Sequence, residues 1–444
     1  MSDKKPRYDV IFSNGTLVTA GGLMAGSVGV SDGKITAIGK LDADNAAEEV
    51  DCTGLHIFPG VIDSQVHFRE PGPTHKEDLE SGMRSAIAGG VTTIFEMPNT
   101  NPLTLTKETF QDKLDRAAKS AHCNYAFYMG GSAANVDKLA ELEALDGCCG
   151  VKVFMGASTG DLLAEEDKLI AKILKNGRRR VAVHAEDNPR LKSRQQLFIG
   201  QSDVKLHPTI RDEETAIKAT ERVIKLARKA HRPVHILHIT TAQELGIIAQ
   251  NKDIITAEAT PQHLTLHAPD CYEELGSYAQ MNPPVRDIQH QRALWAAVNN
   301  GIIDVIGSDH APHTKEEKAQ PYPQSPSGMP GVQTIVPIML DHVNTGKLSL
   351  MRALDLLCHA PQRLFGLIKK GRLAVGYDAD LTLVDMKTSR EITDEMMHTK
   401  SGWTPFRGRT VSAWPKMTVV NGRIVMRDDD IIDEKAGKPA EFLH

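Results

Sequence analysis

The sequence predicts an α/β protein: a (β/α)8 TIM barrel carrying a small β-sandwich built from both chain termini. Three observations predict it. Between residues 55 and 368, eight β-rich segments alternate with helical stretches, which is the count of a closed barrel. Polar side chains stand at the carboxyl ends of many of those strands, whereas an open doubly wound sheet would gather them near one switch point. Short β pieces with turn signals precede the barrel at 8–50 and return after it, in GRLAVGYDADLTLVD and SAWPKMTVVNGRIVM. The expected domains are a composite β-sandwich module over 1–54 and 369–444 and a barrel over 55–368.

Composition narrows the function classes. At 444 residues, size does not limit the core. The chain is 41% hydrophobic and 25% charged with a net charge of -5, so it lacks the basic surplus that a phosphate backbone requires. Nucleic acid is not an expected partner. Six scattered cysteines form neither a zinc-ribbon spacing nor a disulfide framework, as suits a reducing cytoplasm. The N-terminal MSDKKPRYDV lacks an apolar signal core, and no apolar run reaches the about 18 residues that cross a bilayer. The expected location is cytoplasmic, without a membrane partner.

In chain order, the first module reads as hairpins: YDVIFSN, GTLVTA and GSVGVSDGKITAIGK are joined by Ser-Asn-Gly and Ser-Asp-Gly turns. The candidate barrel strands are 55–67, 91–97, 124–129, 150–155, 180–185, 233–239, 254–259 and 303–308. Helical stretches fall between them, among them 75–89, 106–120, 135–145, 211–230, 241–250 and 287–300. A last helical region covers 332–368, after which the β texture resumes. The Pro/Ser-rich QPYPQSPSGMP at 320–330 reads as a lid or substrate loop.

The first barrel segment, GVIDSQVHFREPG, is the most informative. An apolar lead-in delivers Asp63, Gln65, His67 and Arg69, and the two-residue period of a strand puts all four on one face. Acid, amide, imidazole and guanidinium at the end of a buried strand read as a place where metal and anionic substrate meet. Further candidates stand at other strand ends: Lys152, His184, His238 and Asp309. Imidazoles with a carboxylate suit a borderline metal such as zinc. Lys152 fits such a set only if neutralised or converted by carbon dioxide to a carbamate; otherwise it is a buried cation paired with an acid.

The strings DSQVHFREPG, FEMPNTNP, GVKVFMG, VHAED, LHITT, EATPQHL, MNPPVR, GSDHAPHT and GMPGVQ, in this order and spacing, resemble the dihydroorotase family of the cyclic amidohydrolase superfamily. The resemblance implies Zn(2+), one or two per chain, with His67 and Asp309 at one metal and a carboxylated Lys152 bridging to a second held by His184 and His238. Asp309 is also the implied general acid/base. Arg69, Asn99 and His313 would hold a substrate carboxylate, Asn282, Pro330 and Gly331 would line the ring pocket, and Thr159 would lie on a substrate loop. His263 could back the metal ligands, though it reads more as a structural residue. The chain departs from the family at Gln65, which stands where the first metal-ligand His is usual; a carboxamide oxygen is the weaker zinc ligand.

The implied reaction is reversible cyclisation of N-carbamoyl-L-aspartate to L-dihydroorotate in de novo pyrimidine biosynthesis, through a metal-activated hydroxide. A related cyclic amidohydrolase, hydantoinase or allantoinase, is one alternative. A catalytically silent dihydroorotase-like partner protein is another, supported only by Gln65. The expected partners are a small-molecule substrate and further copies of the same chain, as a homo-oligomer.

Overall fold

The computed structural model describes residues 7–157, 162–433 and 435–443. Eight parallel strands, taken here as barrel strands 1 to 8, follow in chain order: Val61–Val66, Val91–Glu96, Asn124–Gly130, Cys148–Phe154, Val181–His184, Val234–Ile236, Ile255–Ala259 and Val305–Ile306. Their residues are buried throughout, as expected for parallel strands covered on both faces. Each predicted barrel segment overlaps one of them. The first segment divides: His56–Pro59 pairs into the terminal sheet, and only Val61–Val66 enters the barrel.

Strands 8 and 1 close the ring through a parallel bridge between Val66 and His310, with His67 N–H donating to the His310 carbonyl at 2.8 Å. Asp63 reinforces this seam, its Oδ1 accepting from Ser308 N–H at 3.0 Å and Gln65 N–H at 3.2 Å. The alternation that placed Asp63 on the cavity face is thus overridden by a backbone-closing role.

The helices start on the strand-exit loops, where Asp78, Thr106, Asp187, Asp212, Thr241 and Asp287 each accept a backbone N–H of the first turn. Several acids near strand ends are therefore caps. Glu96, at the end of strand 2, is fully buried and paired with Lys113 from the helix Lys107–Ala117. No helix among the described residues is long and apolar enough to cross a membrane.

Both chain ends build one nine-stranded sheet. Tyr8–Thr19 pairs with Gly22–Ser31 on one edge, and on the other first with Ala46–Asp51 and then with His56–Pro59. Leu381–Asp385 joins His56–Pro59 antiparallel, so the two termini meet there. Phe12, Leu17, Ile57, Leu381, Leu383 and Val419 share the core of this module.

The last residues return to the barrel. Ala440 N–H donates to the Tyr125 carbonyl at 2.8 Å. Phe442, 4% exposed, packs edge-on against Phe95 at 5.7 Å, and Phe365 meets the same ring at 5.3 Å. These aromatics join Ile62, Ala126, Tyr128 and Ala182, contributed by barrel strands 1, 3 and 5, in one apolar cluster. Phe442→Ala is expected to destabilise by about 3 kcal/mol, as for other large-to-small core changes, read as a lower urea midpoint. An unchanged midpoint would show that the tail is not part of the core.

Candidate active site

At the carboxyl ends of the strands lies a cavity whose wall includes Gln65, His67, Arg69, Asn99, His184, His238, Asn282 and Asp309. Phe154, Ala311, Ser327 and Gly328 complete it. The sequence-predicted residues fall into two halves and a cationic wall.

In the first half, His67 Nδ1–H donates to Asn99 Oδ1 at 2.9 Å, which leaves the Nε2 lone pair 3.3 Å from Asp309 Oδ1. Burial pushes the His67 pKa down to about 4, so the imidazole is neutral near pH 7. Gln65 Nε2 donates to the same Asp309 Oδ1 at 2.8 Å, and its own Oε1 is buried without a hydrogen-bond partner.

In the second half, His184 Nδ1 and His238 Nε2 are 3.1 Å apart, and His184 Nε2 contacts Glu186 Oε2 at 2.8 Å. Burial lowers both imidazole pKa values. His238 Nδ1 and Lys152 Nζ are buried without partners. Lys152 lies outside the cavity wall, its Nζ 4.5 Å from the centre of the Phe154 ring. Burial lowers its pKa to about 7, so the neutral amine is well populated. Neutral imidazoles, one with an unpartnered nitrogen, an orphaned amide oxygen and a carboxylate are the donor chemistry of a divalent metal site.

Arg69 forms the cationic wall, though not by strand alternation, because strand 1 ends at Val66. A left-handed turn, φ +64, brings the side chain to the cavity. The guanidinium is 5% exposed, donates Nη2 to the Pro312 carbonyl at 3.3 Å, and leaves Nε without a partner. No ion pair forms to it among the described residues. His238 (φ 39) and Asp309 (φ 45) share the left-handed backbone, a strained state that proteins keep mainly at functional sites.

Other predicted residues stand further back. His313 Nε2–H donates to the Ser327 carbonyl at 3.1 Å, and Lys76 Nζ contacts its Nδ1 at 3.1 Å; it backs Arg69 and is not in the cavity wall. Pro330 and Gly331 line a neighbouring small cavity beside His310, whose Nδ1 accepts the Gly331 N–H at 3.0 Å. They do not line the ring pocket as expected, because His310 draws that backbone away from it. His263 is held between Thr260 Oγ1 at 2.8 Å and the Pro283 carbonyl at 3.0 Å, a structural role. Thr159 lies outside the described residues. Residues 320–327 of the predicted loop line a larger groove of about 1100 Å³ that adjoins the site cavity, the two sharing Asn282 and Ser327.

Among the described residues, one group of His and carboxylates clusters tightly enough by itself to suggest a metal: Glu213, Asp287 and His290. There, however, His290 Nδ1 accepts the Ala242 N–H at 3.0 Å and Nε2 pairs with Glu213 at 2.9 Å, a helix-capping arrangement that shares no residue with the site cavity. Residues that sequence reasoning missed are Glu186, Arg211 and Phe154. Only Glu186 left a signal, two positions after His184 in VHAED.

A barrel with imidazole and carboxylate donors at its strand ends, beside a guanidinium, defines a hydrolase of the metal-dependent type. The chain belongs to the amidohydrolase family, whose model matches residues 56–425. It is 34% identical to the dihydroorotase of Methanosarcina acetivorans, covering 98% of this chain and 95% of that protein. The dihydroorotase of Pyrococcus abyssi is 36% identical, with 96% of each chain covered. Among solved structures, the L-hydantoinase (dihydropyrimidinase) from Arthrobacter aurescens superposes with a TM-score of 0.92 at 29% identity, covering 97% of this chain and 99% of the other.

Proposed function

We propose that this chain is a dihydroorotase, a cyclic amide hydrolase that reversibly closes N-carbamoyl-L-aspartate to L-dihydroorotate in de novo pyrimidine biosynthesis. One observation carries the substrate assignment. Arg69 is a buried guanidinium in the cavity wall with an unpartnered Nε and no carboxylate paired to it among the described residues. A buried charge left unpaired is costly, and an anionic substrate relieves that cost. A hydantoin ring carries no carboxylate to meet it.

Arg69 holds the carboxylate by charge-assisted hydrogen bonds, and Asn282 closes on the ring. Asp309 accepts the proton of the attacking water and returns it to the ring nitrogen as the amide bond breaks. His184, His238 and Lys152 would hold a divalent cation, zinc by donor type, with His67 and Asp309 at an adjoining position. Bound there, it supplies the Lewis acidity that makes water nucleophilic near neutral pH. Lys152 meets this role as a carbamate, since a neutral amine can add carbon dioxide and gain two oxygen donors. We also assign two domains, the module built from both termini and the barrel between them, with the first boundary moved from residue 55 to Gly60 because His56–Pro59 pairs into the terminal sheet. A cytoplasmic location fits six buried, unpaired cysteines; assembly as a homo-oligomer is part of the same proposal, and light scattering tests it.

The deciding experiment compares kcat/KM of the zinc-loaded protein on L-dihydroorotate, dihydrouracil and hydantoin. Preference for an uncharged ring would make it a hydantoinase, the reading that the solved neighbours favour. No turnover of any ring would leave a silent protein. Gln65 adds a second test. Its amide nitrogen faces Asp309, so the position beside His67 lacks the usual imidazole and binds metal weakly. Purified protein should carry nearer one metal than two per chain, and Gln65→His should raise that number. Two full equivalents in the unmodified protein, resistant to mild chelation, would rule this out.

A further inference from the structure

Glu186 does none of the chemistry assigned to the cavity. It is fully buried just past the end of strand 5, two residues after His184. Its Oε2 meets His184 Nε2 at 2.8 Å, while Arg211 grips the same carboxylate, Nε donating to Oε1 at 3.1 Å and Nη2 to Oε2. Arg211 Nη2 also donates to the Ala157 carbonyl at 2.8 Å, beyond the exit of strand 4, the strand that carries Lys152. The two exits pack closely: a Cβ on Gly156 would lie 2.6 Å from the Glu186 carbonyl oxygen, so only glycine fits there.

A neutral imidazole carries one N–H. Glu186 is braced as a pure acceptor, so that N–H must be on Nε2, and Nδ1 is left as a bare lone pair 3.1 Å from His238 Nε2. We propose that Glu186, braced by Arg211, is a positioning residue: it fixes His184 as the Nε2–H tautomer and aims its lone pair at the divalent cation. Cation affinity is then set in part by a carboxylate that does not touch the cation. The inference rests on the metal-dependent reading above and is independent of which ring is hydrolysed. The competing account is a structural staple between strands 4 and 5, for which Arg211, Glu186 and Ala157 would suffice without His184.

Zinc affinity of the full-length protein, measured by competition with a chelating indicator and no substrate, separates the two. Glu186→Ala is expected to weaken zinc about 10- to 100-fold, the usual effect of losing such a partner. Glu186→Gln keeps an acceptor oxygen and should recover part of that loss. Should the alanine variant fail to fold, Glu186→Gln and Arg211→Lys decide, each expected to weaken zinc several-fold. Unchanged affinity in the folded variants, with only a lower thermal midpoint, would reduce Glu186 to a staple and overturn the proposal. If the wild-type protein binds no zinc tightly, the metal reading fails and this assignment fails with it; the wild-type control therefore tells the two failures apart.

Discussion

Asp309→Asn is expected to lower dihydroorotate turnover by about a hundredfold or more, as loss of a general acid/base does, and to leave most of the bound metal in place. The geometry separates the two roles. Lys152 and His184 stand on strands 4 and 5 and His238 just past strand 6, remote in sequence from Asp309, and none of the three hydrogen-bonds to it. Asp309 instead gathers the first half: its Oδ1 accepts from Gln65 Nε2 at 2.8 Å and lies 3.3 Å from His67 Nε2. Asparagine has nearly the same shape but cannot take up the proton of water. Steady-state kinetics together with elemental analysis of the same preparation make the check. Full activity would remove the catalytic role, and loss of metal in step with activity would make Asp309 chiefly a ligand.

The barrel was legible because buried parallel strands leave continuous apolar runs, and the metal-type residues because they stand at the ends of those runs. Less legible was where one run changes sheets. Residues 55–67 read as one strand, yet the chain switches at Gly60, where a Cβ would lie 2.2 Å from Thr92 Oγ1. Alternation assigned Arg69 to the correct cavity for an incorrect reason, since a left-handed turn and not a strand delivers it. Asp63, Asn99 and His313 show the common limit. Spacing reveals that a polar group is present but not which distant backbone or ring claims it, and here Ser308, His67 and Ser327 do so. Glu186 belongs to the same class, its role visible only once the second nitrogen of His184 has a partner.

Arg69→Met should cost about 3 kcal/mol, roughly a hundredfold in kcat/KM for dihydroorotate, because one member of a buried charge pair is removed. The expected pattern is more specific than a loss. Methionine keeps an apolar stem of similar reach, so the cavity wall stays filled, while the substrate carboxylate meets no cation. Turnover of uncharged dihydrouracil, expected to be slow in the wild type, should change little, and the preference between the two rings should collapse. Stability should move the other way. In the absence of substrate the guanidinium is 5% exposed with its Nε unpartnered, and replacing such a buried charge by an apolar group is often neutral or stabilising. The variant is therefore expected to melt no lower than the wild type while losing its substrate. Nearly intact dihydroorotate turnover, or a fall in melting temperature large enough to explain the loss, would make Arg69 a structural residue and withdraw the substrate assignment that rests on it.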